Sequence, residues 1–370
     1  MITFDDVSFA YQGGIPDGSE PPALRHIHFH AERGECIVLC GKSGCGKTTM
    51  LRMVNGLVPH FYQGRLEGDI TVGNVHIKEA SLPQVAAVAG SVFQNPRTQF
   101  FHLDTTGEMA FNMENLNIPH DKMVDRLKET AWKLDIQTLM DRDIFQLSGG
   151  EKQQIACGSV YASMPEVIVM DEPSSNLDME SIRKLQDLIR TMKDEGKTIL
   201  ISEHRLWYLE DIADRYVLLK DGQIENEFTS DEILALSLQE LEQSGLRAVR
   251  RKQLWNMGTR TIRQEKDMEK AAFLEIEGLR FSRQMRQVLD INRLAIPKGA
   301  IVAVIGENGA GKSTFALCLC GLLKHHGTVR INGERISNKK LPEQAYLVMQ
   351  EPGHQLFSDS VLGELMLNKG

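Results

Sequence analysis

The sequence predicts an α/β fold, one complete domain followed by a partial second copy of it. Three observations predict this. A short apolar run leads into a glycine-rich octamer and then a helical pattern, the whole order of segments recurs later in the chain, and an apolar run between the two octamers ends in paired carboxylates.

The repeat sets the boundaries. The first copy reads VSFAYQ, ECIVLC-GKSGCGKTT-MLRMVNGLVP, GDITVGNVHI and SVFQNPRTQFF; the second reads LRFSRQ, AIVAVI-GENGAGKST-FALCLCGLL, GTVRINGERI and LVMQEPGHQLF. Order, residue types and approximate spacing recur, so residues 1–230 are expected to form a complete domain and 273–370 a truncated one. The stretch 231–272, with helix-forming EILALSLQELEQ and basic residues Arg247, Arg250, Arg251 and Lys252, is expected to be a linker with a solvated cationic face.

Composition narrows the class. The 370 residues leave room for more than one domain, and 42% hydrophobic with 25% charged residues suits a globular chain. A formal net charge of -8 argues against a surface built to neutralise phosphates, so no nucleic acid partner is expected. The six cysteines Cys36, Cys40, Cys45, Cys157, Cys318 and Cys320 lack paired metal spacing, and three lie in or beside the first glycine-rich loop, where a disulfide would obstruct it. That usage points to a reducing compartment. No run approaches the roughly 18 apolar residues that span a bilayer, so any membrane contact is expected to come through a partner.

Both octamers fit G-x-x-x-x-G-K-[ST], each between an apolar run expected as a strand (Cys36 to Cys40; Ile301 to Ile305) and a helix. In the first loop Gly41, Lys42, Ser43, Gly44, Cys45, Gly46, Lys47, Thr48 and Thr49 would wrap closely, turning successive N–H groups and a helix N-terminus toward phosphate oxygens. Gly306, Glu307, Asn308, Gly309, Ala310, Gly311, Lys312, Ser313 and Thr314 would do the same in the second. Lys47 and Lys312 would reach the β- and γ-phosphates, and the hydroxyls of Thr48 and Ser313 would ligate Mg2+. Cys45 reads as a small residue in a tight loop, its alternative being a reactive thiol near a helix N-terminus.

Pro165 precedes the run VIVM, which ends in Asp171 and Glu172. Two carboxylates at the carboxyl end of a buried strand sit where ligands bind in open α/β sheets. Asp171 is expected to hold Mg2+ through its water shell and Glu172 to orient or deprotonate the attacking water; a helix N-cap pair is the alternative.

Leu147-Ser148-Gly149-Gly150-Glu151, just upstream, looks like the signature of ABC-type ATPases, and the chain resembles that family over essentially residues 1 to 230. The resemblance implies a P-loop NTPase fold with antiparallel β and helical subdomains, with ATP and Mg2+ as cofactors. It further implies head-to-tail pairing, in which Ser148, Gly149 and Gly150 close over the γ-phosphate held by another ABC ATPase domain. By the same resemblance Tyr11 stacks on adenine, and Gln94 contacts Mg2+ or the lytic water and senses a transmembrane partner, with Gln350 as its counterpart. Ser175 to Asp178 resembles the D-loop that crosses the dimer interface, and His204, after TILIS, matches the switch histidine at the γ-phosphate.

Phe93 to Phe101, with Thr105, Thr106 and Glu108 following, resembles the energy-coupling-factor ATPases that drive uptake of vitamins and metal ions; Gln350 to Phe357 has the same look. This implies a transmembrane scaffold subunit contacted near Gln94 to Phe101, a separate membrane substrate-binding protein, and a peripheral place on the cytoplasmic face of the cell membrane. The function expected is that of an ATP-hydrolysing subunit energising an importer. The alternatives are a nucleotide-binding remnant without turnover and a soluble tandem protein acting on nucleic acid or the ribosome.

The second copy departs from the pattern. It has no signature, no acidic strand end and no switch histidine, and Arg283 stands where the first copy has Tyr11. Lys47 and Glu172 would face a signature the second copy lacks, whereas Lys312 could meet Ser148 and Gly150 but has no glutamate of its own. Neither pairing within one chain makes a competent site; truncation of a tandem ATPase is the expectation, the alternatives being a fragment of a longer two-domain protein and a first domain that pairs with another complete domain in trans. Exposed sheet edges and apolar surface should leave the partial copy poorly stable alone. Elsewhere, His26, His28 and His30 alternate along a strand as a solvated face, so no metal beyond Mg2+ is expected, and Val124, Leu127, Ala131 and Leu134 have the spacing of a core-facing helix.

Overall fold

The computed structural model describes residues 1–12, 22–250, 272–283, 286–349 and 352–367. The chain divides into two units, Met1–Gly258 and Thr259–Gly370.

In the first unit, β1 (Ile2–Tyr11), β2 (Leu24–Ala31), β4 (Gly64–Val72) and β5 (Val75–His76) form an antiparallel sheet in the order β2-β1-β4-β5. On β1, Ile2 and Phe4 are buried and, after a register shift between Phe4 and Val7, Val7 and Phe9 are buried, so the two-residue period of a sheet with one wet face holds on either side of the irregularity. The second sheet runs β10-β9-β3-β8-β7-β6, built from β3 (Cys36–Cys40), β6 (Ala89–Val92), β7 (Val167–Asp171), β8 (Thr198–Ser202), β9 (Arg215–Lys220) and β10 (Gln223–Thr229). Only β10 joins it antiparallel. β3 is buried at every residue because β8 and β9 flank its edges and a core lies on each face, Cys36, Val38 and Cys40 in one and Ile37 and Leu39 in the other, which is why CIVLC reads as an unbroken apolar run.

Helix α1 (Lys47–Val54) follows β3, then come α2 (Leu57–His60) and α3 (Leu82–Val88). The helical subdomain holds α4 (Thr105–Asn115), α5 (His120–Lys133) and α6 (Gly149–Ala162), and α7 (Met179–Asp194) returns to the sheet. The starts are capped as the sequence dictates: Asp104 accepts from the Gly107 N–H, Asp178 accepts from the Ser181 N–H, and Ser148 with Glu151 forms a capping box. On α5 and just beyond it, Ala131 and Leu134 are buried and Val124 and Leu127 half-buried.

The first unit continues past residue 230. Helices α8 (Ser230–Ala235) and α9 (Leu238–Gln243) bury Ile233 and Leu241 in the core, and Leu246 and Val249 join them. The stretch expected as a linker is therefore packed structure up to Val249, because EILALSLQELEQ carries an apolar face as well as polar residues. Arg251 and Lys252 of the basic cluster lie outside the described residues.

The second unit repeats the antiparallel sheet in the same spatial order. β11 (Ala272–Arg283), β12 (Arg286–Pro297), β13 (His326–Ile331) and β14 (Glu334–Ile336) run β12-β11-β13-β14, with α10 (Lys312–Leu319) packed through Phe315 and Cys318 on Ile276, Leu279 and Leu289. A short helix, α11 (Val361–Met366), closes the described part. The strand expected over Ile301 to Ile305 is absent: Ile305 is 88% exposed, where its counterpart Cys40 is fully buried. Tyr346 and Val348, 95% and 81% exposed, stand where β6 would be. In the first unit β3 is held by β8 and β9, and β6 by β7, all contributed by later chain. Among the described residues the second unit has no counterpart of these three strands, so its apolar runs find no ladder to join.

Candidate nucleotide site

The first loop takes its shape from its glycines. Gly41, Gly44 and Gly46 adopt φ of 136°, 80° and 111°, a region that side chains rarely enter. A Cβ on Gly41 would also lie 2.2 Å from the Leu219 carbonyl oxygen of β9. The loop folds over its own lysine, and Lys47 Nζ donates to the carbonyls of Gly41 at 3.0 Å and Lys42 at 2.9 Å. Helix α1 begins at Gly46 with no side-chain cap and no acidic residue in its first turn, which leaves its positive end open to an anion. Cys45 is buried, its Sγ 3.8 Å from Lys47 Nζ.

The ends of β6, β7 and β8 bring the polar residues to this loop. Thr48 Oγ1 donates to Asp171 Oδ1 at 3.2 Å, and Gln94 Nε2 donates to Glu172 Oε2 at 2.9 Å. Thr48, Asn55, Gln94 and Asp171 share the wall of a cavity of about 240 Å³. Glu172 has φ 43°, left-handed for a non-glycine, and its N–H donates to the Ser202 carbonyl at 2.9 Å, which ties the end of β7 to β8. His204 Nε2 stands 3.3 Å from Glu172 Oε1 but without hydrogen-bond geometry, and that buried atom has no partner. Burial, and then the Lys47 ammonium, hold His204 below the usual histidine range against the opposing pull of Glu172 and Glu203; Arg247 adds to the lowering.

On the other flank of α1, the Tyr11 hydroxyl lies 3.1 Å from Thr49 Oγ1 and accepts from Arg52, and its ring packs edge-on against Phe9. Ser148, Gly149 and Gly150 open α6. Their neighbours are on that helix and on α7: Glu151 donates its N–H to Ser148 Oγ and is paired with Arg142 at 2.9 Å, and a Cβ on Gly150 would meet Ser181 Oγ at 2.1 Å. The structure thus brings Thr48 to Asp171, and Gln94 and His204 to the neighbouring Glu172, beside the loop, with Tyr11 on one flank and the signature on a separate helix.

Two residues with structural roles here escape a motif reading. Glu203, buried, accepts from the N–H groups of His204 and Arg205 and from the Tyr208 hydroxyl, which sets the backbone that carries His204. Arg205 donates to the carbonyls of Ser174 and Leu177 and so holds the segment before Asp178. A charged triplet, EHR, after an apolar strand was the available signal. Glu108 acts similarly in the exposed loop: buried on α4, it accepts from the N–H groups of Phe101 and His102, leaving the Phe101 ring 74% exposed.

The second loop has the same local form. Gly306, Gly309 and Gly311 adopt φ of 152°, 84° and 93°, and Lys312 Nζ donates to the carbonyls of Gly306 at 2.7 Å and Glu307 at 2.6 Å. Its setting differs: Asn308, Ala310 and Ser313 are exposed, Thr314 is half-buried, and a Cβ on Gly306 meets only Ala310, at 3.5 Å. Gln350 lies outside the described residues.

A family model described as ABC transporter matches residues 24–175 and 289–364, covering parts of both copies. The chain belongs to the ABC transporter family. It is an ATP-binding ABC subunit of a transporter, of the α/β phosphate-loop fold with antiparallel β and helical subdomains. A Treponema denticola protein named as an ABC transporter ATP-binding protein is 41% identical over 99% of this chain and 74% of its own length. A Bacillus subtilis protein, YkoD, named as an HMP/thiamine import ATP-binding protein, is 29% identical over 100% of this chain and 71% of its own length. Among solved structures, cbiO1 from Clostridium perfringens, part of the ABC transporter complex cbiONQ, superposes with a TM-score of 0.57 at 24% identity over 65% of this chain and 94% of that one. That likeness is one of fold. No helix among the described residues is long and apolar enough to cross a membrane.

Proposed function

We propose that this ABC protein is the ATP-hydrolysing subunit of an energy-coupling-factor-type importer for vitamins or metal ions, working from the peripheral, cytoplasmic face of the cell membrane. The observation that carries the hydrolytic reading is the contact of Gln94 and His204 with Glu172 beside the first loop. Glu172 is the base or orienting group for water, His204 Nε2 is free to donate to the γ-phosphate, and Lys47 turns from loop carbonyls to phosphate oxygens. Tyr11 takes the adenine.

The residues fit a Mg2+-nucleotide: an uncapped helix end and a glycine cradle for phosphate, an unpartnered histidine nitrogen, and hard oxygen donors in Thr48 and Asp171. Thr48, Asp171 and Gln94 would hold the ion, with Ser313 and Gln350 as their counterparts in the second copy. When bound, it neutralises charge on the β- and γ-phosphates. The signature at Ser148 to Gly150, remote on α6, serves a nucleotide held by another ABC ATPase domain in trans.

The importer reading draws support from the printed names of YkoD and cbiO1 and from the loop Gln94 to Phe101. Phe101 stacks on Phe111 at 4.9 Å with its outer face bare, and Leu103 is exposed beside it, a surface suited to an apolar helix of a transmembrane scaffold subunit. The second unit repeats the device: Glu364 accepts from the N–H groups of Phe357 and Ser358, as Glu108 does from Phe101 and His102. Substrate choice then lies with a separate membrane substrate-binding protein. A second reading, nucleotide held without turnover, is favoured at the second loop by its open setting.

The test is ATP turnover by the purified chain across a range of protein concentrations, with Glu172→Gln as control. Turnover per molecule that rises with concentration and vanishes in the control supports pairing of first units in trans. ATP binding with no turnover at any concentration, even with a complete ABC domain added, would remove the hydrolytic reading.

A further inference from the structure

Strand β8 hands the chain to a turn that one carboxylate pins. Glu203 is buried; its Oε1 accepts from the N–H groups of His204 at 2.7 Å and Arg205 at 3.0 Å, and its Oε2 accepts from the Tyr208 hydroxyl at 2.9 Å. His204 and Arg205 are therefore held as one piece of backbone, and a shift of one carries the other. Their side chains go to different places. His204 stands beside Glu172, while Arg205 Nη1 donates to the carbonyls of Ser174 at 3.1 Å and Leu177 at 3.3 Å.

The loop that receives Arg205 runs from Glu172 to the start of α7. It is a tight turn, in which the Ser175 N–H donates to the Glu172 carbonyl and the Leu177 N–H to the Ser174 carbonyl, both at 3.1 Å. Ser174 and Leu177 are buried, where a charged donor binds a carbonyl more firmly than a neutral one. The far side of the loop bears on the signature. A Cβ on Gly149 would lie 4.0 Å from the Asn176 carbonyl oxygen, and a Cβ on Gly150 would lie 2.1 Å from Oγ of Ser181, whose N–H is capped by Asp178. Movement of this loop and of the first turn of α7 thus acts directly on Gly149 and Gly150.

We propose that Arg205 is a positioning residue that ties His204, at one nucleotide, to the signature of the same domain, which serves another. The inference rests on the nucleotide-site reading above. Because the contacts run from the neighbour of His204 to the neighbours of Gly149 and Gly150, nucleotide bound at the first loop is felt at the signature before any second domain arrives. An arginine that only filled the hydrogen bonds of the turn would hold it to the same degree with and without nucleotide.

The experiment is hydrogen exchange on the full chain, with and without Mg2+ and a non-hydrolysable ATP analogue, at protein concentrations low enough to prevent pairing. The unaltered chain is compared with Arg205→Met and Arg205→Lys. In the unaltered chain the analogue is expected to slow exchange at residues 41–49 and, by about threefold or more, at 174–178 and 148–151. Arg205→Met keeps an apolar stem and removes the donors, so the effect at 41–49 stays while the effect at the two distant segments is lost. Arg205→Lys keeps charge and donors at a shorter reach and is expected to restore part of it; it replaces the methionine variant in the comparison if that variant loses its fold. Protection of the distant segments that survives in Arg205→Met, or that is missing from the unaltered chain while the loop is protected, would overturn the role of Arg205 and leave the site reading standing. No protection at 41–49 in the unaltered chain would overturn both.

Discussion

Gln94 Nε2 donates to Glu172 Oε2 at 2.9 Å, joining two residues 78 apart in the chain. One belongs to the loop whose far end leaves Phe101 and Leu103 exposed, the other to the end of β7 beside the phosphate loop. A movement of that loop therefore acts on the carboxylate through a single hydrogen bond.

Breaking this link should separate coupling from binding. Gln94→Ala is expected to lower ATP turnover by about tenfold or more while ATP affinity stays within about twofold, because the glutamine orients Glu172 and the phosphates are held by the glycine loop and Lys47, with Thr48 and Asp171 left to hold the Mg2+. Steady-state turnover and nucleotide binding measured on one preparation decide it; equal loss of both would mean that Gln94 holds the nucleotide.

The two loops predict different costs for one mutation. Gly41→Ala combines a left-handed backbone with a Cβ 2.2 Å from the Leu219 carbonyl, whereas Gly306→Ala shares the backbone but not the clash. The first is expected to destabilise its unit by about 2–4 kcal/mol and the second by about 1 kcal/mol. Denaturant midpoints of the two variants provide the comparison.

His204 gives a pH dependence of defined sign. Its folded-state value is held below the usual one, first by burial and then by the Lys47 charge. The unfolded chain therefore binds the proton more readily, and unfolding free energy falls as pH drops through about 6.5, the ordinary histidine value, toward the folded value. Urea unfolding of the first unit from pH 7.5 downward should show this slope, and His204→Gln should flatten it.

Backbone protection should follow the missing strands. Amides of Ile37 to Cys40 lie in a ladder flanked on both sides, while Val302 to Ile305 are exposed and unpaired in strand terms. Hydrogen exchange is expected to be slower by orders of magnitude in the first segment. Comparable protection in both would show that the second run is covered in solution.

Much of the fold and site could be read along the chain. The repeat, the loop residues and the acidic pair are local patterns, legible before any tertiary contact is known. The stretch was read as helix-forming, but the packing of α8 and α9 was missed, because apolar residues spaced among polar ones show a buried face only once a core stands beside them. Glu203 was missed for a related reason, since its value lies in three donors that converge only after β8 is placed.

The sequence by itself determined the shape of both phosphate loops: glycines at fixed spacing encode φ values locally, so the same curled loop and the same lysine bonds form in both units. Only the tertiary structure decided that one loop is built into a site and the other lies open. AIVAVI is as apolar as ECIVLC, but a strand exists only where neighbours supply its hydrogen bonds, and those neighbours are present in the first unit alone among the described residues.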